Sequence, residues 1–165
     1  MSTSMIMKIG AAACAIALSG TMLAGCANGV NSASSEQQAA RTYMSQVNEA
    51  MEELGEGLDS FVAAVSRNDL VNMRTQADNA YKALDKLDKL EAPDAYKDVQ
   101  KHYVDGTGKL REALDGYITL YTDMNGASFD QSTYDSRVAD IQKLYNEGVE
   151  ELEAGDKAAS SQGSA

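Results

Sequence analysis

The chain has 165 residues, with 14 basic and 25 acidic side chains, a net charge of −11 and a mean hydropathy of −0.36. This length allows one domain with a real core and is too short for two comfortable ones. The acidic balance excludes nucleic acid as a partner, because that affinity depends on Lys and Arg side chains that neutralise phosphates.

The first 25 residues have the pattern of an export signal. Lys8 supplies one positive charge, and residues 9–22 form an apolar segment too short to remain as a membrane-spanning helix. That segment leads directly into the sequence Leu-Ala-Gly-Cys at positions 23–26. We therefore predict a signal peptide over residues 1–25.

The four residues at positions 23–26 resemble the lipobox of bacterial lipoproteins at every position. The resemblance implies that a signal peptidase cuts between Gly25 and Cys26 and that the Cys26 thiol carries a diacylglyceryl group. Acyl chains such as palmitate would then hold the protein at the extracytoplasmic face of the cell membrane. Cys14 does not fit, because Ala11 stands where the lipobox has an aliphatic residue. The alternative is an ordinary secretory cleavage that leaves a free Cys26 thiol.

The segment after the cleavage site is small and polar. One cysteine remains after cleavage, so no disulfide can form within the chain. We expect residues 26–35 to form the lipidated cysteine and a flexible tether, with an average span of roughly 15–18 Å. Loss of Lys8 would leave 13 basic and 25 acidic side chains, a net charge of −12. That charge favours basic partners or divalent cations in general, and equally suits a solvated surface that resists aggregation.

The body of the chain has a helical pattern from residue 36 to residue 154. Apolar residues recur there in alternating steps of three and four, which forms a narrow apolar stripe, or seam, along each helix. The seam residues are Met44, Val47, Met51, Leu54, Leu58, Phe61 and Val65, then Leu70, Met73, Ala77, Ala80, Leu84 and Leu87, then Tyr96, Val99, Tyr103, Gly106, Leu110, Ala113, Tyr117, Leu120 and Met124, and last Tyr134, Val138, Ile141, Tyr145, Gly148 and Leu152. Short connections between long helices force neighbouring helices to run antiparallel. We therefore predict an all-α protein, an antiparallel up-down-up-down four-helix bundle. The expected helices are about 36–66, 69–91, 93–125 and 131–154, followed by a disordered tail over 155–165.

The residues between the seams are typical of helix ends. Asn68 is the candidate N-cap of the second helix, and Pro93 stands at the expected start of the third. The Asn125-Gly126 pair ends the third helix, and the region from Asp130 can cap the fourth. Gly155 follows the last seam residue, where a helix-ending glycine is common.

Tyrosine and glycine in the seams leave two interpretations open. Five tyrosines occupy seam positions, namely Tyr96, Tyr103, Tyr117, Tyr134 and Tyr145. A buried tyrosine needs a partner for its hydroxyl group, and Gly106 and Gly148 allow either close helix contact or a gap. The functional interpretation is a small-molecule pocket bordered by Tyr103, Tyr145 and the two glycines. The alternative is a tyrosine-rich core whose hydroxyl groups reach solvent.

Chemical motifs are nearly absent. His102 has Asp98 and Asp105 on the same helical face, a weak candidate metal site, and a solvated histidine is the plainer interpretation. Haem held by His102 and a core methionine is a remote alternative, because buried methionines usually serve core packing. We therefore expect no cofactor. No catalytic triad, phosphate-binding loop or dinucleotide fingerprint is present in the sequence, which argues against an enzyme.

The stretch Leu90 to Val99, with His102-Tyr103-Val104 and Gly106, resembles a pattern in small helical lipoproteins of Gram-positive and related anaerobic bacteria. That resemblance implies an exported, membrane-anchored helical body without an assigned activity, and only Cys26 carries over as a functional residue. The expected function is a non-enzymatic interaction or binding module, with the lipid bilayer and an unidentified protein or small ligand as partners. The alternative is a small-ligand or metal-binding bundle that serves a membrane transporter or sensor.

Overall fold

The computed structural model describes residues 34–127 and 129–162, and these form four helices and no strand. The signal peptide, Cys26 and the tether up to residue 33 lie outside the described residues. Two single turns of 3-10 helix, Asp94–Tyr96 and Gln131–Thr133, precede the last two helices. The all-α four-helix bundle is confirmed. The helices are α1 (Ser35–Ser66), α2 (Leu70–Asp88), α3 (Lys97–Met124) and α4 (Tyr134–Gln162).

Helix α1 begins at a reciprocal cap. The Gln37 backbone N–H donates to Ser34 Oγ over 3.3 Å, and the Ser34 N–H donates to Gln37 Oε1 over 3.2 Å. These bonds satisfy two of the donors that a helix start leaves without partners. The predicted tether therefore ends too late, because Ser34 and Ser35 already belong to the helix start.

The turn between α1 and α2 is capped by Asp69, not by Asn68 as predicted. The Asp69 side chain accepts the Asn72 backbone N–H over 3.1 Å, and this bond lowers the pKa of the Asp69 carboxyl. Asn68 instead has a φ of 54°, a left-handed conformation that asparagine adopts more readily than most residues. The tight reversal of direction needs that conformation one residue before the cap.

The connection between α2 and α3 is longer than predicted. Helix α2 ends at Asp88 instead of residue 91, and α3 begins at Lys97 after the 3-10 turn instead of at Pro93. Proline disfavours a helical conformation at the residue before it, which agrees with the absence of helix immediately before Pro93. The Gln100 side chain donates to the Leu87 carbonyl over 2.7 Å, and so satisfies one acceptor that the end of α2 leaves free.

The predicted disordered tail is wrong for residues 155–162, which belong to helix α4. The helix continues through Gly155 to Gln162, so residues 155–162 are helical, and Gly155 does not end the helix. The cause is tertiary contact: Gly155 is buried against Tyr103, and Ala159 is only 6% exposed. Burial of one helix face outweighs the poor intrinsic helix propensity of glycine.

The four helices pack as two close pairs. Helix α1 lies closest to α2, and α3 lies closest to α4, while the α2–α3 contact is looser. Small residues make the first contact close, since a Cβ atom at Gly57 would lie 3.2 Å from the Ala80 backbone. Aromatic pairs join α1 to α3 and to the 3-10 turn before it: the ring centroids of Phe61 and Tyr117 are 6.1 Å apart, and those of Tyr43 and Tyr96 are 5.5 Å apart.

The core follows the predicted seams and extends beyond them. Most seam residues are buried, although Met124 is 37% exposed at the end of α3. Buried residues that the narrow seams did not include are Tyr43, Ala50, Ala64, Ala83, Leu114, Tyr121, Val149 and Ala159. Each helix therefore buries a broader stripe than a two-position repeat gives, as expected for a helix that contacts more than one neighbour.

Leu110 tests the assignment of the core. Its side chain is fully buried, so we expect Leu110→Ala to lower the free energy of unfolding by about 2–5 kcal/mol. Glu112→Ala, at an exposed position of the same helix, should change it by less than about 0.5 kcal/mol. Urea denaturation followed by circular dichroism measures both values, and equal losses would contradict the assignment.

Candidate functional site

Two glycines bring α3 and α4 into backbone contact. A Cβ atom at Gly106 would lie 2.9 Å from the carbonyl oxygen of Gly148, and one at Gly148 would lie 2.7 Å from Leu110 Cγ. Both distances are shorter than real side chains tolerate, so only glycine fits at either position. The space beside both glycines is filled by the facing helix and by Leu110 and Leu152. At these two glycines the helices are therefore in close contact, which is one of the two arrangements that glycine at a seam position allows.

Tyr103 occupies the centre of the same interface. Its side chain is fully buried, and its ring lies so close to Gly155 that a Cβ atom there would be 2.7 Å from Tyr103 Cε1. The hydroxyl group donates to Asp156 Oδ1 over 2.7 Å. Burial and this hydrogen bond raise the pKa of Tyr103, so the phenol is a neutral donor at physiological pH.

Other tyrosines also find partners for their hydroxyl groups. Tyr43 donates to Gln100 Oε1 over 2.8 Å, and burial raises the pKa of Tyr43 to about 12. Tyr81 donates to an Asp115 oxygen. Tyr145, the fourth residue of the predicted pocket, is half-buried and makes contacts of its own. These tyrosines thus pack in or against the core, and their hydroxyl groups donate to side chains of the protein.

His102 pairs with α4 and not with its neighbours on α3. Its Nδ1 lies 2.9 Å from Glu151 Oε2, and Lys109 Nζ lies 3.8 Å from the other oxygen of the same carboxylate. The bond to His102, with a contribution from Lys109, lowers the pKa of the Glu151 carboxyl. Asp98 and Asp105 are exposed. No three His, Cys, Asp or Glu side chains within residues 34–127 and 129–162 are arranged to hold a metal ion, so this candidate set is not assembled.

A polar network between α2 and α3 was missed in the sequence. Arg111 Nη2 lies 2.9 Å from Asp85 Oδ1 and 3.2 Å from Asp88 Oδ2, and its guanidinium carbon lies 5.5 Å from the centre of the Tyr81 ring. Thr107, which is 1% exposed, also donates to Asp88. The available signal was weak: Asp85 and Asp88 each follow a seam residue, a position where charged side chains are usually solvated.

The outer surface of α1 is acidic. Lys86 of α2 lies 2.5 Å from a Glu53 oxygen and 4.0 Å from a Glu49 oxygen. Glu52, Glu56 and Asp59 are exposed and take part in none of the ion pairs of the described residues. Such exposed carboxylates contribute a negative field and little stability.

Exposed apolar side chains are few, and most lie at one end of the bundle. Val62, Val71 and Met124 are 37%, 76% and 37% exposed, and they stand near the end of α1, the start of α2 and the end of α3. These three residues, the apical apolar residues, lie at the opposite end of the bundle from Ser34. Val104, in the first half of α3, is 42% exposed. In the described part of the chain, every helix is too short or too polar to cross a membrane.

Comparison of the chain with protein-family models, curated proteins and solved structures finds no match.

Two glycines of α3 provide a matched test of the close helix contact. Gly106→Ala should lower the free energy of unfolding by about 1–3 kcal/mol, because its methyl group meets a backbone oxygen of α4 that cannot move aside alone. Gly108→Ala should instead stabilise the protein by about 0.5–1 kcal/mol, since its Cβ meets nothing within 4 Å. Thermal or urea unfolding measures whether each substitution raises or lowers the free energy of unfolding. If both substitutions stabilise the protein, the close helix contact at Gly106 is contradicted.

Proposed function

We propose that this protein is a lipid-anchored extracytoplasmic lipoprotein whose helical bundle is a non-enzymatic protein-interaction module. The observation that carries the proposal is the lipobox-like sequence at positions 23–26, followed within eight residues by the capped start of a four-helix body. An anchor next to a folded body is the arrangement expected of a protein that presents a surface at a membrane.

The position of the anchor fixes which end of the bundle is near the membrane. From Cys26 to Ser34 the chain can extend over at most about 29 Å. The start of α1 therefore stays near the lipid surface. Helix α1 has 32 residues and is about 48 Å long, so its far end and the α1–α2 turn can lie well away from the bilayer.

The surface favours a protein partner over a small ligand. The apical apolar residues lie at the end of the bundle away from the anchor, where a partner in the envelope can approach. The net charge of −12 after cleavage favours a partner with a basic surface around an apolar centre. The close contacts at Gly106 and Gly148 support a protein partner over a small ligand, because the two backbones touch at the glycines of the predicted pocket.

The anchor is tested by Cys26→Ser. Because a hydroxyl group does not replace the thiol in the lipid transfer, the variant should stay uncleaved or be released, and it should be absent from the detergent phase after Triton X-114 partition. Cys14→Ser is the control and should behave like the parent protein. If the Cys26→Ser protein still partitions with the membrane after cleavage, the lipoprotein assignment is wrong.

The interaction surface is tested by photo-crosslinking in intact cells. A photoreactive amino acid at position 71 should give a discrete protein adduct whose yield falls as salt is raised, because charge attraction assists the encounter. The same probe at Gln38, an exposed position of the first turns of α1, should give lipid adducts or none. Equal adducts from both positions, or none at position 71, would contradict an apical interaction surface.

A further inference from the structure

The last turns of α4 contain a half-buried carboxylate, that of Asp156. Asp156 is half-buried, and its Oδ1 accepts a hydrogen bond from the fully buried Tyr103 over 2.7 Å. No ion pair of the described residues includes Asp156. Its Oδ1 accepts from the neutral Tyr103 phenol, and its backbone carbonyl accepts from the Ser160 hydroxyl over 2.9 Å. A buried carboxylate without a cation is costly in its charged form and much less so when protonated.

The neighbouring groups offer no compensating positive charge. On α3 the facing group is the Tyr103 phenol, and Tyr43 of α1 lies beyond it. From the 3-10 turn, Tyr96 contacts Tyr43, while the exposed Asp94 is paired with Lys97 at 2.6 Å. On α4 itself, Glu153 and Lys157 flank Asp156 and are exposed.

We propose that Asp156 and Tyr103 form an acid-stabilised latch that fastens the last turns of α4, residues 153–162, to the bundle. With the carboxyl group protonated, the segment buries a neutral pair. With the carboxylate ionised, the segment holds an uncompensated charge against the core, and detachment returns that charge to water. Release uncovers the Tyr103 ring at the end of the bundle where α1 begins.

The direction of the pH effect follows from the carboxyl group. Burial raises the pKa of Asp156 above its usual value of 3.8, and the hydrogen bond from Tyr103 opposes this only in part. A group with a raised pKa in the folded segment stabilises that segment fully at pH values below 3.8. This stabilisation is lost as the pH rises through the raised pKa, so the latch loosens on alkalinisation and not on acidification.

Amide hydrogen exchange of residues 156–160 in the full chain measures the latch. After correction for the intrinsic pH dependence of exchange, protection in the parent protein should fall by up to about tenfold per pH unit above pH 4, then level off. Asp156→Asn keeps an acceptor for the Tyr103 hydroxyl and should give a flat profile. Tyr103→Phe removes the donor that favours the charged form, and it should extend the fall to higher pH.

Glu153→Gln is the matched control, because it removes one negative charge from an exposed position of the same turns. It should keep the parent profile. Far-UV circular dichroism over the same pH range separates local opening from unfolding of the whole bundle. A flat profile in the parent protein, or an unchanged slope in Asp156→Asn, would overturn the latch.

Discussion

The contact between Gly106 and Gly148 is the constraint on which the rest of the structure depends. With no side chain between them, the backbones of α3 and α4 approach until Leu110 and Leu152 close over the contact. That approach fixes how the two helices are aligned along their length. His102 then lies opposite Glu151, and Tyr103 lies opposite Gly155 and Asp156. A slip of one helical turn would separate all of these pairs, so one backbone contact determines several polar ones.

The two helix pairs are joined in a different way. Between α2 and α3 the contact is looser, and Arg111 bridges Asp85 and Asp88 across it. Half-exposed ion pairs of this kind add little to stability, but they disfavour alignments of α2 against α3 in which a charged side chain would lose its partner. Every fully buried side-chain nitrogen and oxygen atom of residues 34–127 and 129–162 has a hydrogen-bond partner. Apolar packing thus supplies the stability, while the polar groups select one arrangement.

The seams predicted the helices well because apolar spacing reports local burial directly. Leu54, Leu84 and Leu110 are all fully buried, as their spacing indicated. The errors at the helix ends near Ser34, Asn68 and Pro93 come from local cap and turn geometry, while the error in α4 comes from contact between residues far apart in the sequence. Glycine is common at helix ends, but Gly155 lies inside α4, because the Tyr103 ring occupies the space that a side chain at position 155 would fill. The same limit applies to the candidate site, since spacing placed Gly106 and Gly148 on seams but could not tell a gap from a contact.

The charge of the body and the reach of the anchor act together in the proposed lipoprotein. Electrostatic repulsion between an acidic bundle and anionic lipid head groups falls off over about 8 Å at physiological salt. The eight Cα–Cα steps from Cys26 to Ser34 can extend over about 29 Å, well beyond that distance. The tether is therefore long enough for the bundle to move beyond the range of the repulsion while the anchor stays in the bilayer. The repulsion still disfavours orientations in which the acidic face of α1 lies flat on the membrane. The bundle is left free to point its apical end outward, where the three exposed apolar side chains are accessible to a partner.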